Sequence, residues 1–191
     1  MSRPRLVLAT GNAHKAVEVA TILPDWEVTA HDPDVEETGT TYEENALLKA
    51  RAVALATGGL AVADDSGIEI DALGGAPGIH SARWTAQDSW VPRVLREVGE
   101  VAGPDGDRSC RYVAAAAAVW PDGREVVVRG TVEGRLAAAP RGTGGFGYDP
   151  IMVPLDGDGR TFAEMDEADK HEISHRGRAF RALEAELRRR L

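Results

Sequence analysis

Apolar residues follow two spacings along this chain. Short unbroken runs alternate with stretches in which apolar positions recur every three or four residues. Arg5–Ala9, RLVLA, is an unbroken run and reads as a buried strand. Thr10, Gly11 and Asn12 break it. From about His14 to Leu23, Val17, Ala20 and Leu23 fall at helical spacing, and Pro24 closes the segment. Glu27–Ala30 reads as a short second strand. Thr41 and Glu44 form a Thr-x-x-Glu capping box, opening a helix that carries Leu47, Ala50 and Ala54 on one face and stops at Gly58. Leu60–Ala63 is the next apolar run. It ends on Asp64 and Asp65, which with Ser66 and Gly67 predict a turn.

Beyond that turn, Trp90, Val94 and Val98 are spaced by four and predict a helix from Gln87 to Val98. Val101–Ser109 reads as an exposed loop. Tyr112–Trp120 contains five alanines, which favour helix by propensity. Yet Pro121, Asp122, Gly123 and Arg124 form a strong turn, and EVVVRGTVEG after it is strand-like, so the pattern predicts a β-hairpin. Phe162–Asp169 reads as a short helix or loop leading to Lys170. The last helix follows Ser174 as its N-cap, with Phe180, Leu183 and Leu187 on one face. The expected fold is α/β: a mixed central sheet flanked by helices, in a single domain over residues 1–191, with no internal repeat and no linker.

Composition narrows the function classes. An apolar fraction of 43% supports a packed core. A net charge of −9 argues against binding a nucleic-acid backbone, which needs a basic face. The single cysteine, Cys110, excludes an intramolecular disulfide and a cysteine cluster for zinc, and fits a reducing compartment. No apolar run approaches the roughly 20 residues that span a membrane. The N-terminal run is too short for a signal peptide and leads straight into a glycine turn. The expectation is a cytoplasmic protein with no nucleic-acid or membrane partner.

Five places carry candidate chemistry. The strand–TGN–helix unit presents backbone N–H groups and Lys15 at a helix N-terminus, an arrangement suited to an anion, or reads as a plain turn with a surface lysine. Glu36 and Glu37 supply carboxylates to a metal, or are solvated loop charges. Asp64 and Asp65 hold a metal or activate a water, or belong to an ordinary turn. In Gly142–Pro150, Phe146 and Tyr148 stack on a flat ring, or plug the core. Lys170, His175 and Arg176 bring cations late in the chain. Carboxylates for a metal, cations for phosphates and an aromatic for a base describe a nucleotide site.

Seven motifs occur in one order: TGNxxK at Thr10–Lys15, EETG at Glu36–Gly39, ENAxxKA at Glu44–Ala50, ADDSG at Ala63–Gly67, LGGAPGIHSARW at Leu73–Trp84, GTGGFGYDP at Gly142–Pro150 and KxxISHRG at Lys170–Gly177. In them the chain resembles the inosine triphosphate pyrophosphatase family, the Ham1/RdgB-like purine nucleoside triphosphate pyrophosphatases. The resemblance runs from Leu6 to the last helix, though residues 99–111 and the alanine run carry no family motif, and Trp84 stands where the family often has Tyr. It implies an elongated two-lobed fold with the nucleotide in a cleft. It implies a Mg²⁺-dependent homodimer that converts ITP, dITP and XTP to the monophosphate and pyrophosphate, clearing non-standard purines from the nucleotide pool.

By motif, Thr10, Gly11, Asn12, Ala13, His14 and Lys15 would hold phosphates. Asp65 would be the proton acceptor and a metal ligand, with Glu36 as the second metal carboxylate. Ser66, Phe146, Gly147, Tyr148, Asp149, Lys170, His175 and Arg176 would contact substrate, Phe146 by stacking and His175 and Arg176 at the 6-oxo group. Lys15 and Lys170 would offset the charge of the leaving pyrophosphate. Lys49 and Arg83 match family positions as well. Whether Asp64 shares the role of Asp65 is left open by the motif.

Overall fold

The computed structural model describes residues 3–84 and 90–190. Six strands form one mixed sheet in the order β2-β1-β3-β4-β5-β6. β1 (Arg5–Ala9) pairs in parallel with β2 (Glu27–His31), Leu6 opposite Val28, and with β3 (Ala61–Ile70), Val7 opposite Ala61. β4 (Ser109–Val119) and β5 (Glu125–Leu136) are neighbours joined by a tight turn, closed by the Trp120 N–H on the Arg124 carbonyl at 2.9 Å. β6 (Met152–Pro154) runs antiparallel to β5, Arg135 opposite Val153. The helices are α1 (Ala13–Ile22), α2 (Tyr42–Thr57), α3 (Trp90–Ala102), α4 (Glu167–Ile173) and α5 (His175–Arg188). The Gln87 start expected for α3 lies outside the described residues.

Contacts divide the chain into two compact units. The first is Met1–Asp65, Ala114–Gly130 and Arg176–Leu191; the second is Ser66–Val113 and Thr131–His175. Each has its own apolar cluster. In the first, Leu6, Leu8 and Val62 pack with Val19 and Leu23 and with Phe180, Leu183 and Leu187 of α5. Burying each of those large side chains contributes about 1.5–3 kcal/mol. In the second, Ile68, Ile70, Val94, Val98, Tyr112, Tyr148 and Phe162 form the core.

The hairpin prevails over alanine's helix propensity. Every alanine from Ala114 to Ala118 is fully buried, and alternate ones, Ala114, Ala116 and Ala118, join the first cluster. A strand covered on both faces reads as an unbroken apolar run, and tertiary burial outweighs a per-residue preference of a few tenths of a kcal/mol.

Two expectations are corrected. Asp64-Asp65-Ser66-Gly67 is no turn: β3 runs through it to Ile70. The chain turns later, through a 3-10 turn at Asp71–Leu73 and the left-handed Gly74 and Gly75. Gly67 is required by close approach instead, because a Cβ there would sit 2.2 Å from the Gly78 carbonyl oxygen and 2.6 Å from Ser81 Oγ. That same Oγ accepts the Ile68 N–H at 2.9 Å. The buried face of α1 is also displaced from the expected one. Val17 is 62% exposed, whereas Glu18, Val19 and Ile22 are buried. A carboxylate turns inward because a buried arginine meets it.

Candidate active site

Adjacent residues of a strand point to opposite faces. In β3 this separates Asp64 from Asp65, and the two carboxylates meet different partners.

Asp64, buried, accepts from Lys15 Nζ at 3.1 Å and from Arg176 Nε at 3.1 Å. Arg176 Nη1 reaches Glu18 Oε2 at 2.6 Å, so α1, β3 and α5 are tied by one chain of charges. Burial alone would raise the Asp64 pKa; Lys15, Arg176 and Lys49 outweigh it and hold the group well below the usual carboxylate range. Lys15 shifts downward, mainly through burial and with help from Arg176 and Lys49, against the pull of Asp64.

Asp65 has milder company. Asn45 Nδ2 donates to it at 3.2 Å and Lys49 Nζ lies at 3.4 Å. Lys49 also reaches Glu37 Oε1 at 2.6 Å. Burial, joined by the like charge of Glu37, raises the Asp65 pKa above its ordinary value, although Lys49, Lys15 and the Asn45 hydrogen bond oppose it. Burial acts to lower Lys49, but Asp65, Asp64 and Glu37 reverse it, and its net shift is upward: it stays a cation. One aspartate is a fixed anion; its neighbour takes up a proton more readily.

Asn45 was not singled out from sequence. It sits fully buried one residue after Glu44 in α2, and its Oδ1 accepts the Gly39 N–H at 2.8 Å, which docks the EETG loop beside Asp65. Its signal was a lone amide in the buried stripe of a helix, four residues before Lys49. Thr41 Oγ1 accepts the Glu44 N–H at 3.1 Å, as the capping box requires, and the Glu44 carboxylate accepts the Thr40 N–H at 2.6 Å.

The TGN segment opens α1. Asn12 is its N-cap and spends Oδ1 on the His14 and Lys15 N–H groups at 2.9 and 3.4 Å. Gly11, Asn12, Ala13 and His14 are exposed, and Thr10 is half-buried. Glu36 is exposed too, and among the described residues it is Glu37 that turns to Lys49. Ser66 follows Asp65 in β3, on the Asp64 side by alternation.

The second unit gathers a different set. Asp149, buried, accepts Lys170 Nζ and the Phe146 N–H on Oδ2 at 2.7 and 2.9 Å, and the Tyr112 hydroxyl on Oδ1 at 3.1 Å. Gly145 has φ of 66°, and a Cβ on it would fall 2.1 Å from Asp149 Oδ2, so the carboxylate lies hard against the loop backbone. Lys170 Nζ stands 5.0 Å over the Phe146 ring. The His175 ring lies 4.5 Å from that of Tyr112. Tyr148 does not share this cluster. It plugs the core, stacked on Trp90 at 5.6 Å with its hydroxyl on the Ser81 carbonyl at 2.9 Å. Tyr112 was missed in the sequence because it opens an apolar run and looks like core.

The Ham1 family model matches residues 6–186. The chain belongs to the Ham1 family. Among the relatives of this Ham1 chain is the dITP/XTP pyrophosphatase of Symbiobacterium thermophilum, 54% identical over 96% of this chain and 95% of the relative. That of Streptomyces coelicolor is 50% identical over 94% of each. The solved HAM1 protein of Coxiella burnetii superposes with a TM-score of 0.84 at 39% identity, over 97% of this chain and 99% of that one. The fold is thus the mixed α/β fold of solved Ham1 proteins.

Among the described residues, no group of three or more His, Cys, Asp or Glu side chains is assembled as a metal site. The donor set still suits magnesium, which takes one or two carboxylates and completes its shell with water and phosphate oxygens. Asp65 and Glu37 converge on the single cation Lys49, at 3.4 and 2.6 Å, so two carboxylates stand close enough to share a metal ion. No helix among the described residues is long and apolar enough to cross a membrane.

Proposed function

We propose that this chain is a Mg²⁺-dependent nucleoside triphosphate pyrophosphohydrolase that converts dITP, XTP and ITP to the monophosphate and pyrophosphate. The observation that carries the reading is the division of the two aspartates of β3: Asp64 neutralised by Lys15 and Arg176, Asp65 left with a raised pKa beside Lys49. The names of the relatives, dITP/XTP pyrophosphatases at 54% and 50% identity, point the same way.

In this proposal Asp65 takes a proton from a water as its oxygen bonds to the α-phosphorus and the α–β anhydride bond breaks. The electron pair of that bond leaves with pyrophosphate, whose charge Lys15 and the α1 N-terminus, Thr10 to Lys15, offset. Asp65 with the acidic loop residue Glu36 or Glu37 would hold Mg²⁺, which supplies charge neutralisation to the phosphate oxygens. Phe146 stacks the base, Lys170 and Asp149 hold the loop that presents it, and His175 donates to the 6-oxo group shared by hypoxanthine and xanthine. Adenine carries a 6-amino donor there and would leave polar groups unpaired. Ser66 and the Gly147–Tyr148 backbone complete the contacts. Arg176, with Nε and Nη1 committed to Asp64 and Glu18, serves chiefly by fixing Asp64. We assign both units to one catalytic domain, since the family match spans both, and we expect a homodimer and a cytoplasmic location.

The test is a substrate panel with Mg²⁺. Pyrophosphate should be released from dITP, XTP and ITP well ahead of GTP and UTP, and a chelator should abolish release until Mg²⁺ is restored. Equal rates across the panel, or orthophosphate as product, would refute the reading.

A further inference from the structure

Asp149 offers two oxygens to three donors in the second unit. Two of them, Lys170 and the Phe146 N–H, belong to residues assigned above to the base. The third does not. Tyr112 lies in β4, among the fully buried strand residues of the core, and is itself buried. Its ring is held on two sides, stacked on Phe162 with centroids 5.7 Å apart and tilted against His175 at 4.5 Å. Its hydroxyl reaches Asp149 Oδ1 at 3.1 Å. One side chain thus touches the carboxylate that fixes the glycine loop and the imidazole assigned to the 6-oxo group.

We infer that Tyr112 is a positioning residue for base recognition: its hydroxyl locks the Asp149–Phe146–Lys170 loop and its ring orients His175. The inference rests on the function proposed above. A loop of Gly145, Phe146 and Gly147 has little stiffness of its own, as glycines at φ of 66° and 65° show. A bond from a strand to the loop's only carboxylate transfers the rigidity of the sheet to the ring that stacks the base. Burial, with Asp149 beside it, pushes the Tyr112 phenol well above its ordinary pKa, so the hydroxyl keeps its proton and remains a donor.

The experiment compares the wild type with Tyr112→Phe, which keeps the ring and loses the hydroxyl, and with Tyr112→Leu, which loses both. The readouts are steady-state pyrophosphate release from dITP and dATP, thermal melting, and nitrogen-resolved amide exchange at Phe146. For Tyr112→Phe the KM for dITP should rise about tenfold with kcat within about twofold, the size of one lost hydrogen bond to a charged group. Exchange at the Phe146 amide should accelerate. Tyr112→Leu should raise KM further and narrow the preference for dITP over dATP, because His175 loses its support. An unchanged KM in a Tyr112→Phe protein, or a lowered melting temperature with unchanged KM, would overturn the inference. If the wild type itself turns over no dITP, the proposed function fails, and Phe146 exchange alone then decides the positioning role: acceleration upholds it and no change overturns it.

Discussion

Two neighbouring aspartates, alike in sequence, acquire opposite electrostatic environments because a strand alternates. Asp65→Asn removes a base and leaves Lys49 its closer carboxylate, Glu37 at 2.6 Å. It should lower kcat for dITP by about 10²–10⁴-fold, with the melting temperature nearly preserved. Asp64→Asn strips the anion from between Lys15 and Arg176, both drawn out of water. The expected loss is about 3–5 kcal/mol of stability, read by urea unfolding. The two pKa shifts are opposite in sign, so activity and stability both fall toward acid but in different pH windows. Asp65 must be ionised to accept a proton, and its pKa is raised in the folded state, so activity falls as pH drops through a value above the usual carboxylate range. Asp64 is depressed in the folded state. Its contribution to stability is fully present above the unfolded pKa of about 3.9 and is lost as pH falls toward the folded value. Of the residues in these networks, Lys15, Asp64, Asp65, Lys170 and Arg176 were legible as chemistry from type and order alone. Glu18, Asn45 and Tyr112 were not, because each sits in an apolar face where a single sequence offers no sign that its polar atoms find partners.

At the level of elements, strands and helices were read nearly to their ends wherever a run was bounded by Gly, Pro or a cap. Arg5–Ala9 is the same in both readings, and α2 stops at Gly58, left-handed at φ of 65°. The failure was β3. Asp, Ser and Gly are turn formers, and local propensity has no knowledge of three cations that stabilise carboxylates in mid-strand, or of a neighbour that leaves no space for a side chain. Gly67→Ala tests that last point. Its Cβ would lie inside contact distance of the Gly78 carbonyl and Ser81 Oγ, which also receives the Ile68 N–H. Neither is a flexible tip. Stability should fall by about 3 kcal/mol or more, at the upper end of overpacking costs, as measured by thermal or urea denaturation. A neutral substitution would mean that β3 does not hold this course.

For the molecule as a whole, fold class was legible and the division of the core was not. Apolar spacing shows which residues are inside, but not that Leu6, Val62 and Phe180 form one cluster while Ile68, Val98 and Phe162 form another. Non-local contacts, set by sheet order, decide that. Yet β3, β4 and β5 each contribute residues to both units. A strand cannot melt over half its length without exposing the backbone groups of the other half, so the two clusters should unfold in one transition. Cavities test this. Phe180→Ala empties a buried site in the first cluster and Phe162→Ala one in the second, each at a cost of about 3–5 kcal/mol. Trp26 and Trp120 report on the first cluster and Trp90 packs against the second, while circular dichroism reports on the whole sheet. In both variants the fluorescence and dichroism curves should remain superimposed and shift together to lower urea. Curves that separate in Phe162→Ala, with the tryptophans of the first cluster holding beyond the loss of sheet signal, would show that the units unfold independently despite the strands they share.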